Sequence, residues 1–338
     1  MKNKKTLLLI PFATLALAGC VNTVSSSSQA TSQSASSSVD DYQLKWITPT
    51  STPALAFYDQ GKNENWVSSA SPATTVIPAF GTATYDAIVF DGVSGLNLVK
   101  KNNWGWKMAK WISGGNFYVV STLHAAKTDF AAGQTITGFV KSGNAAQTFL
   151  KLSKEKWGWT YDDSQATFLN GVAEVQSAMI SDADSRDYWI VADPIYTSVK
   201  AALAKNGKTL NLISDLQADW KSAYNAGTIP AAALFVRSSS YDAHKEVFDK
   251  FLSETQTRVD NSIDNVASVT KAVTDYGTDD DAKARFGFTS AIVTAMQGNG
   301  ANKFAMIKSG EVTSVKAFAN GFASIILGST FADSYFLS

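Results

Sequence analysis

The chain has 338 residues, 45% of them hydrophobic and 17% charged, enough to bury a large core and to fill about two domains. Lys+Arg and Asp+Glu balance at 29 each, so no basic excess points to nucleic acid and no acidic tail to a charged partner. Aromatic residues reach 12%, with 9 tryptophans that must be core or contact surface.

The chain opens with Lys2, Lys4 and Lys5, followed by "TLLLIPFATLALAG", an apolar run too short and too poorly flanked for a stable membrane span. Leu17-Ala18-Gly19-Cys20 resembles the bacterial lipobox, which implies a leader over residues 1–20 and a lipid on Cys20. An ordinary secretory leader with a chance cysteine is the plainer alternative. Cys20 is the single cysteine, so the remainder has no disulfide, no thiol nucleophile and no Cys-ligated metal. Residues 21–40, "VNTVSSSSQATSQSASSSVD", have no hydrophobic period and cannot bury enough apolar surface to offset their ordering entropy, so they read as a disordered tether. The sequence suggests no second membrane span.

From Leu44 onward one local pattern recurs: an apolar run, a small polar or Gly/Pro corner, then a helix-like segment. The first corner is Thr50-Ser51-Thr52 before Pro53, in "LKWITPTSTPALAFYDQ". The second is Asp91-Gly92-Val93-Ser94 in "YDAIVFDGVSGLNLVKKN", and the third is Ser142-Gly143-Asn144 in "QTITGFVKSGNAAQTF". The fourth is Asp193-Pro194 in "DYWIVADPIYTSVKAALAKNG", with Gly207 as a helix stop. Apolar strands alternating with helices predict parallel sheets covered on both faces, an α/β class in which ligands gather at the carboxyl ends of the strands. Those ends are the four corners. Their N–H groups and helix dipoles suit an anion or a polar acceptor, while simple helix capping by Ser, Thr, Asp and Asn is the plainer account of any one of them.

In order along residues 42–338, the chain resembles the solute-binding proteins of ABC importers, in the group with nitrate, sulfonate and thiamine-precursor binders. The first two corners resemble ligand loops of the family's first lobe, and "WKMAKWISGGNFYVVST" resembles its strand entering the hinge. "AAGQTITGFVKSGNAAQTFLKL" resembles its entry into the second lobe, with Gln134 where lysine is usual. "FLNGVAEVQSAMISDADSRDYWIVADPIYTSVKAAL" is similar to its acidic-Pro corner, and "AAALFVRSSSYDAHKEVFDKFLSE" to its return to the first lobe.

The resemblance implies two doubly wound α/β lobes joined by a hinge, of the periplasmic-binding-protein type II kind. Lobe one takes residues 41–120 and 237–338, and lobe two takes 121–236. The tail to Phe322 is then mainly helical and packs on lobe one, with Val315, Phe318, Ala319 and Phe322 at helical spacing. The expected role is capture of a small molecule between the lobes for a permease and ATPase, by a monomer held at the extracytoplasmic face through its lipid. It has no cofactor, no metal, no nucleic acid partner and no catalytic group.

Expected contacts are Thr50, Ser51, Thr52, Asp91, Ser94 and Asn116 from lobe one and the hinge. Lobe two contributes Ser142, Gly143, Asn144, Asp193 and Tyr196. Asp91 reads more as a helix cap and Asp193 more as a ligand contact. If both faced the cleft they would favour a cationic ligand, because a buried unpaired carboxylate is costly, whereas if both cap helices the cleft is neutral or anion-accepting. The resemblance leaves the ligand open.

"NNWGWK" and "EKWGWT" form matched tryptophan pairs, read as packing under loops, with stacking on a flat ligand the sharper alternative. Trp46, Trp66, Trp111, Trp189 and Trp220 read as core. A surface lipoprotein for adhesion or sensing is the rival reading. An extracellular hydrolase is weaker still, because only His124 and His244 exist and "DGVSGL" misses G-x-S-x-G by one position. Asp279-Asp280-Asp281 and Asp182-Ala183-Asp184 lack the spacing of a calcium loop and read as solvated turns.

Overall fold

The structure, a computed structural model, describes residues 41–162 and 164–338. Cys20, the leader and the Ser-rich tether lie outside the described residues.

The first half of the chain lays down β1 (Trp46–Pro49), β2 (Trp66–Ser69), α1 (Val76–Ala79), β3 (Ala87–Asp91), α2 (Gly92–Asn102) and β4 (Trp106–Trp111). Between β1 and β2 the segment Thr52–Gln60 is a 3-10 helix broken at Phe57, not the regular helix expected there. The chain then crosses into β5 (Phe117–Ser121), β6 (Ile136–Phe139), α3 (Asn144–Glu155), β7 (Ala166–Leu169), α4 (Val172–Asp182) and β8 (Tyr188–Ala192). It continues through α5 (Ile195–Lys205), β9 (Asn211–Asp215) and α6 (Leu216–Tyr224) before returning as β10 (Ala232–Arg237). The remainder is helical: α7 (Ser238–Ala243), α8 (Lys245–Asp264), α9 (Val266–Tyr276), α10 (Asp279–Phe286), α11 (Ser290–Gln297) and α12 (Val315–Ile326).

These strands make two five-stranded sheets of the same plan, β2-β1-β3-β10-β4 and β7-β6-β8-β5-β9. Within each sheet the local strands run parallel, and the strand from the other side of the crossing, β10 or β5, runs antiparallel between two of them. The wholly parallel sheets predicted from the sequence are therefore mixed. The reason is geometric. The parallel strands all point their carboxyl ends at the gap between lobes, so a strand entering from that gap must run away from it. The sheets divide the chain a few residues earlier than the breaks read from the sequence: Phe117–Ser121 belongs to the second sheet and Ala232–Arg237 to the first.

Both faces of each sheet are covered, which explains the unbroken apolar strands. In β3, Ala87 and Val89 enter one core with α8, α9 and α11, while Ile88 and Phe90 enter the other with α1, α2 and α12. Burying Ile88, Val89 and Phe90 contributes roughly 1.5–3 kcal/mol each relative to exposure. In β8 the same alternation sends Trp189 and Val191 beneath α4 and α5, and Tyr188 and Ile190 beneath α3 and α6.

The two crossings run side by side. Gly115 N–H donates to the Ile229 carbonyl (2.7 Å), Ala231 N–H to that of Ser113 (3.0 Å), and Gly114 N–H to that of Ala305 (2.8 Å). The helical tail packs on the first lobe as expected through α8 to α11. α12 does more: Phe318 meets Trp111 of the first lobe (5.1 Å between rings) and Phe322 meets Trp220 of the second (5.0 Å). Among the described residues no helix is long and apolar enough to cross a membrane.

Candidate functional site

All four corners read from the sequence sit at carboxyl ends of strands, and they converge on one cavity of about 120 Å³ between the sheets. Its floor on the first lobe is the turn after β1. There Thr50, Ser51 and Thr52 are buried, and Ser51 holds a left-handed backbone (φ 80°) pinned by its N–H to the Phe286 carbonyl (2.6 Å). The equivalent turn on the second lobe, after β6, holds Val140 at φ 43°, a conformation a β-branched residue rarely adopts. The two strained turns of corresponding strands thus both line the cavity, a placement typical of functional sites.

Asp91 joins the lobes. One carboxylate oxygen accepts from the Ser94 N–H (3.1 Å) and caps α2, while the other accepts from the Asn144 N–H (2.5 Å) at the start of α3 on the opposite lobe. One side chain therefore serves two helix N-termini, where a negative charge is favoured. Asp91 keeps some accessible surface because it faces the cavity, yet its carboxylate lies deep in the lobe–lobe contact. Burial pushes its pKa from 3.8 up to about 7, and the N–H donors of Asn144 and Ser94 only partly oppose that rise.

Further contacts keep the lobes shut. The Ser94 hydroxyl donates to the Ser142 carbonyl, and the Asn144 amide donates to the Pro230 carbonyl in the crossing (2.7 Å). At the far side Ser71 donates to Glu174 (3.0 Å), and Ala73 N–H donates to the Asn170 carbonyl (3.1 Å). Gly171 comes so close to the first lobe that a Cβ there would lie 2.4 Å from the Ala70 carbonyl oxygen.

Asp193, read as a ligand contact, also lines the cavity, but its carboxylate accepts from the N–H (3.0 Å) and hydroxyl (2.7 Å) of Thr197 in the first turn of α5. Its backbone carbonyl accepts from the Asn116 amide (2.9 Å) and the Thr52 hydroxyl (3.4 Å), a further link across the gap. Burial raises its pKa, opposed by bonds from Thr197 and Tyr118 and by the charge of Lys303.

Of the sequence-derived contacts, Thr50, Ser51, Thr52, Asp91, Asn116, Gly143 and Asp193 share the cavity wall. Ser94 and Asn144 serve the lobe–lobe contact instead, and Ser142 is exposed. Tyr196 lies off the wall, its ring against Tyr118 (4.9 Å) and its hydroxyl accepting from Lys200 (3.3 Å). Most of the wall was missed: Phe90, Phe117, Phe139, Val140 and Val172 make it apolar. The one signal was that each corner follows an aromatic or β-branched residue at or near the strand's last position.

The paired tryptophans pack under loops. Trp104 stacks near Phe80 and Trp106 donates to the Phe80 carbonyl (2.8 Å), while Trp159 stacks on Phe130 (4.2 Å) and donates to the Lys127 carbonyl (3.0 Å). Trp46, Trp66, Trp111, Trp189 and Trp220 are buried in the cores. Neither histidine reaches the wall: His124 pairs with Asp187 (3.1 Å) and His244 stacks on Tyr42 (3.7 Å). Asp281 closes a capping box with Thr278, and Asp184 pairs with Lys208 (2.7 Å). Among the described residues no three His, Cys, Asp or Glu side chains cluster in a way that would hold a metal ion.

No family model and no curated protein matches the sequence. Solved structures do match the fold. A ligand-binding component of an ABC-type import system from Staphylococcus aureus, with zinc bound, aligns with TM-score 0.61 at 13% identity, over 87% of this chain and 96% of that one. The alkanesulfonate-binding protein of Xanthomonas axonopodis pv. citri, bound to MOPS, aligns with TM-score 0.60 at 13% identity, over 86% and 94%. A Candida albicans protein described as having the generic periplasmic binding protein fold aligns with TM-score 0.57 at 9% identity, over 87% and 93%. At these identities the likeness is one of fold: two α/β lobes of the periplasmic-binding-protein kind, shared with substrate-binding components of ABC importers.

Proposed function

We propose that this chain is a solute-binding lipoprotein that encloses a small molecule between its lobes and hands it to an ABC transporter permease. The observation that carries the reading is the cavity itself. The strand ends of two sheets of one plan meet there, and the first-lobe side chains of Asp91 and Thr52 bond across it to the backbone of Asn144 and Asp193 in the second lobe. A binder of this kind needs only differential contacts between a closed, occupied form and an open one. The fold shared with import components supports the reading, and the lipobox at Cys20 supports a lipid anchor at the extracytoplasmic face. The protein acts as a monomer without a catalytic group, and Thr50, Ser51, Thr52, Asn116 and Asp193 are its proposed contacts.

Purifying the chain from its producing cells, denaturing it and analysing the released small molecules by mass spectrometry tests the proposal. One compound is expected at near-stoichiometric amount, absent from a Val172→Trp variant whose cavity is filled. Loss of the cognate permease is expected to stop its uptake. Recovery of no compound, together with no change in melting temperature across a broad metabolite panel, rules the proposal out.

A further inference from the structure

Resting on the capture reading above, the geometry points to an uncharged guest: a molecule of about one ring, with an apolar body and a hydroxyl at one end.

Charge is the first argument. The only ionisable side chains on the cavity wall, among the described residues, are Asp91 and Asp193, and no lysine, arginine or histidine joins them. Both carboxylates already have partners, Asp91 through its two oxygens to N–H groups of both lobes, and Asp193 through one oxygen to Thr197, with a further bond from Tyr118. An anionic guest would be enclosed beside two carboxylates with no counter-charge, and burying an unpaired charge is costly. Lys303, the cation felt by Asp193, is exposed and off the wall. A cationic guest would compete with the Asn144 N–H for the Asp91 oxygen that joins the lobes, and with Thr197 and Tyr118 for the Asp193 carboxylate.

Shape and polarity supply the rest. Phe90, Phe117, Phe139 and Val172 present an apolar surface from both lobes. A cavity of about 120 Å³ compares with the roughly 150 Å³ apolar cavity that admits benzene in another protein. Thr50 and Ser51 bring hydroxyl groups to the wall, and the Asn116 amide nitrogen already serves the Asp193 carbonyl. The Asn116 amide oxygen is therefore left to accept, which suits a donor such as a hydroxyl on the guest.

Three probes of one ring size separate the possibilities at pH 7: benzyl alcohol, benzoate and benzylamine, titrated calorimetrically into the purified full chain and into Val172→Trp. Should that variant fail to fold, Ala70→Leu blocks the cavity from the other lobe. Benzyl alcohol is expected to bind at least ten-fold more tightly than either ion, with binding lost in the blocked variant. Equal or tighter binding of benzoate or benzylamine, lost on blocking, overturns the uncharged guest while leaving capture between the lobes intact. Failure of all three to bind, or binding that blocking does not change, overturns the assignment of size and charge. The mass-spectrometric recovery described above decides the capture reading separately.

Discussion

Asp91 has the most to lose from ionisation. Its carboxyl titrates at about 7 in the folded chain against 3.8 when unperturbed, because burial outweighs its two helix-capping bonds. Between those values the folded chain holds a proton that the unfolded chain has released. Folding stability from this group is therefore present below about pH 4, falls as pH rises towards 7, and is flat above that. Asp91→Asn cannot ionise and still accepts one N–H bond. The wild type's unfolding free energy, taken relative to this variant, is expected to drop by a few kcal/mol at most between pH 4.5 and pH 7.5, since each tenfold change in proton affinity is worth about 1.4 kcal/mol. Urea denaturation of both proteins across that range measures it, and a pH-independent difference contradicts the assignment. Asn144 makes a complementary case. Its amide is the donor to the buried Pro230 carbonyl, so Asn144→Ala strands that acceptor and is expected to cost about 1–3 kcal/mol by the same measurement.

The strand-end turns carry the site, and their approach is set by small residues. Gly171, which caps α4, passes the β2–α1 connection so closely that no side chain fits. Gly171→Val is expected to hold the lobes apart while leaving each sheet intact. Small-angle X-ray scattering should show a larger radius of gyration with unchanged circular dichroism, and an unchanged radius would mean the contact yields without opening. The corners themselves were legible because a turn residue after an apolar run marks a strand end whatever surrounds it. Strand direction was not. "AAALFVR" and "FYVVS" read locally like any buried strand, and only their arrival from the opposite lobe makes them antiparallel. The cavity wall was hidden for a related reason, since Phe90 or Phe139 looks like core until a second sheet is brought up against it. The commitment of Asp193 was readable, because Thr197 stands one helical turn along in "DPIYT".

The lobes are not independent bodies. One hydrophobic cluster contains Ile88 and Phe90 of the first sheet together with Ile136 and Tyr188 of the second, and α12 supplies Phe322 against Trp220. Differential scanning calorimetry of the chain is therefore expected to give a single cooperative transition with equal calorimetric and van't Hoff enthalpies. Two resolved peaks would show that the shared cluster couples the halves weakly. The strand order has a last implication, for how such a molecule comes into being. All five strands of the second sheet are in hand once residue 215 has emerged, but the first sheet lacks the strand between β3 and β4 until residue 237. A nascent chain threaded from its amino end thus completes the later-encoded half first. The earlier half stays a torn fabric, its raw edges unpaired, until the returning thread closes the gap.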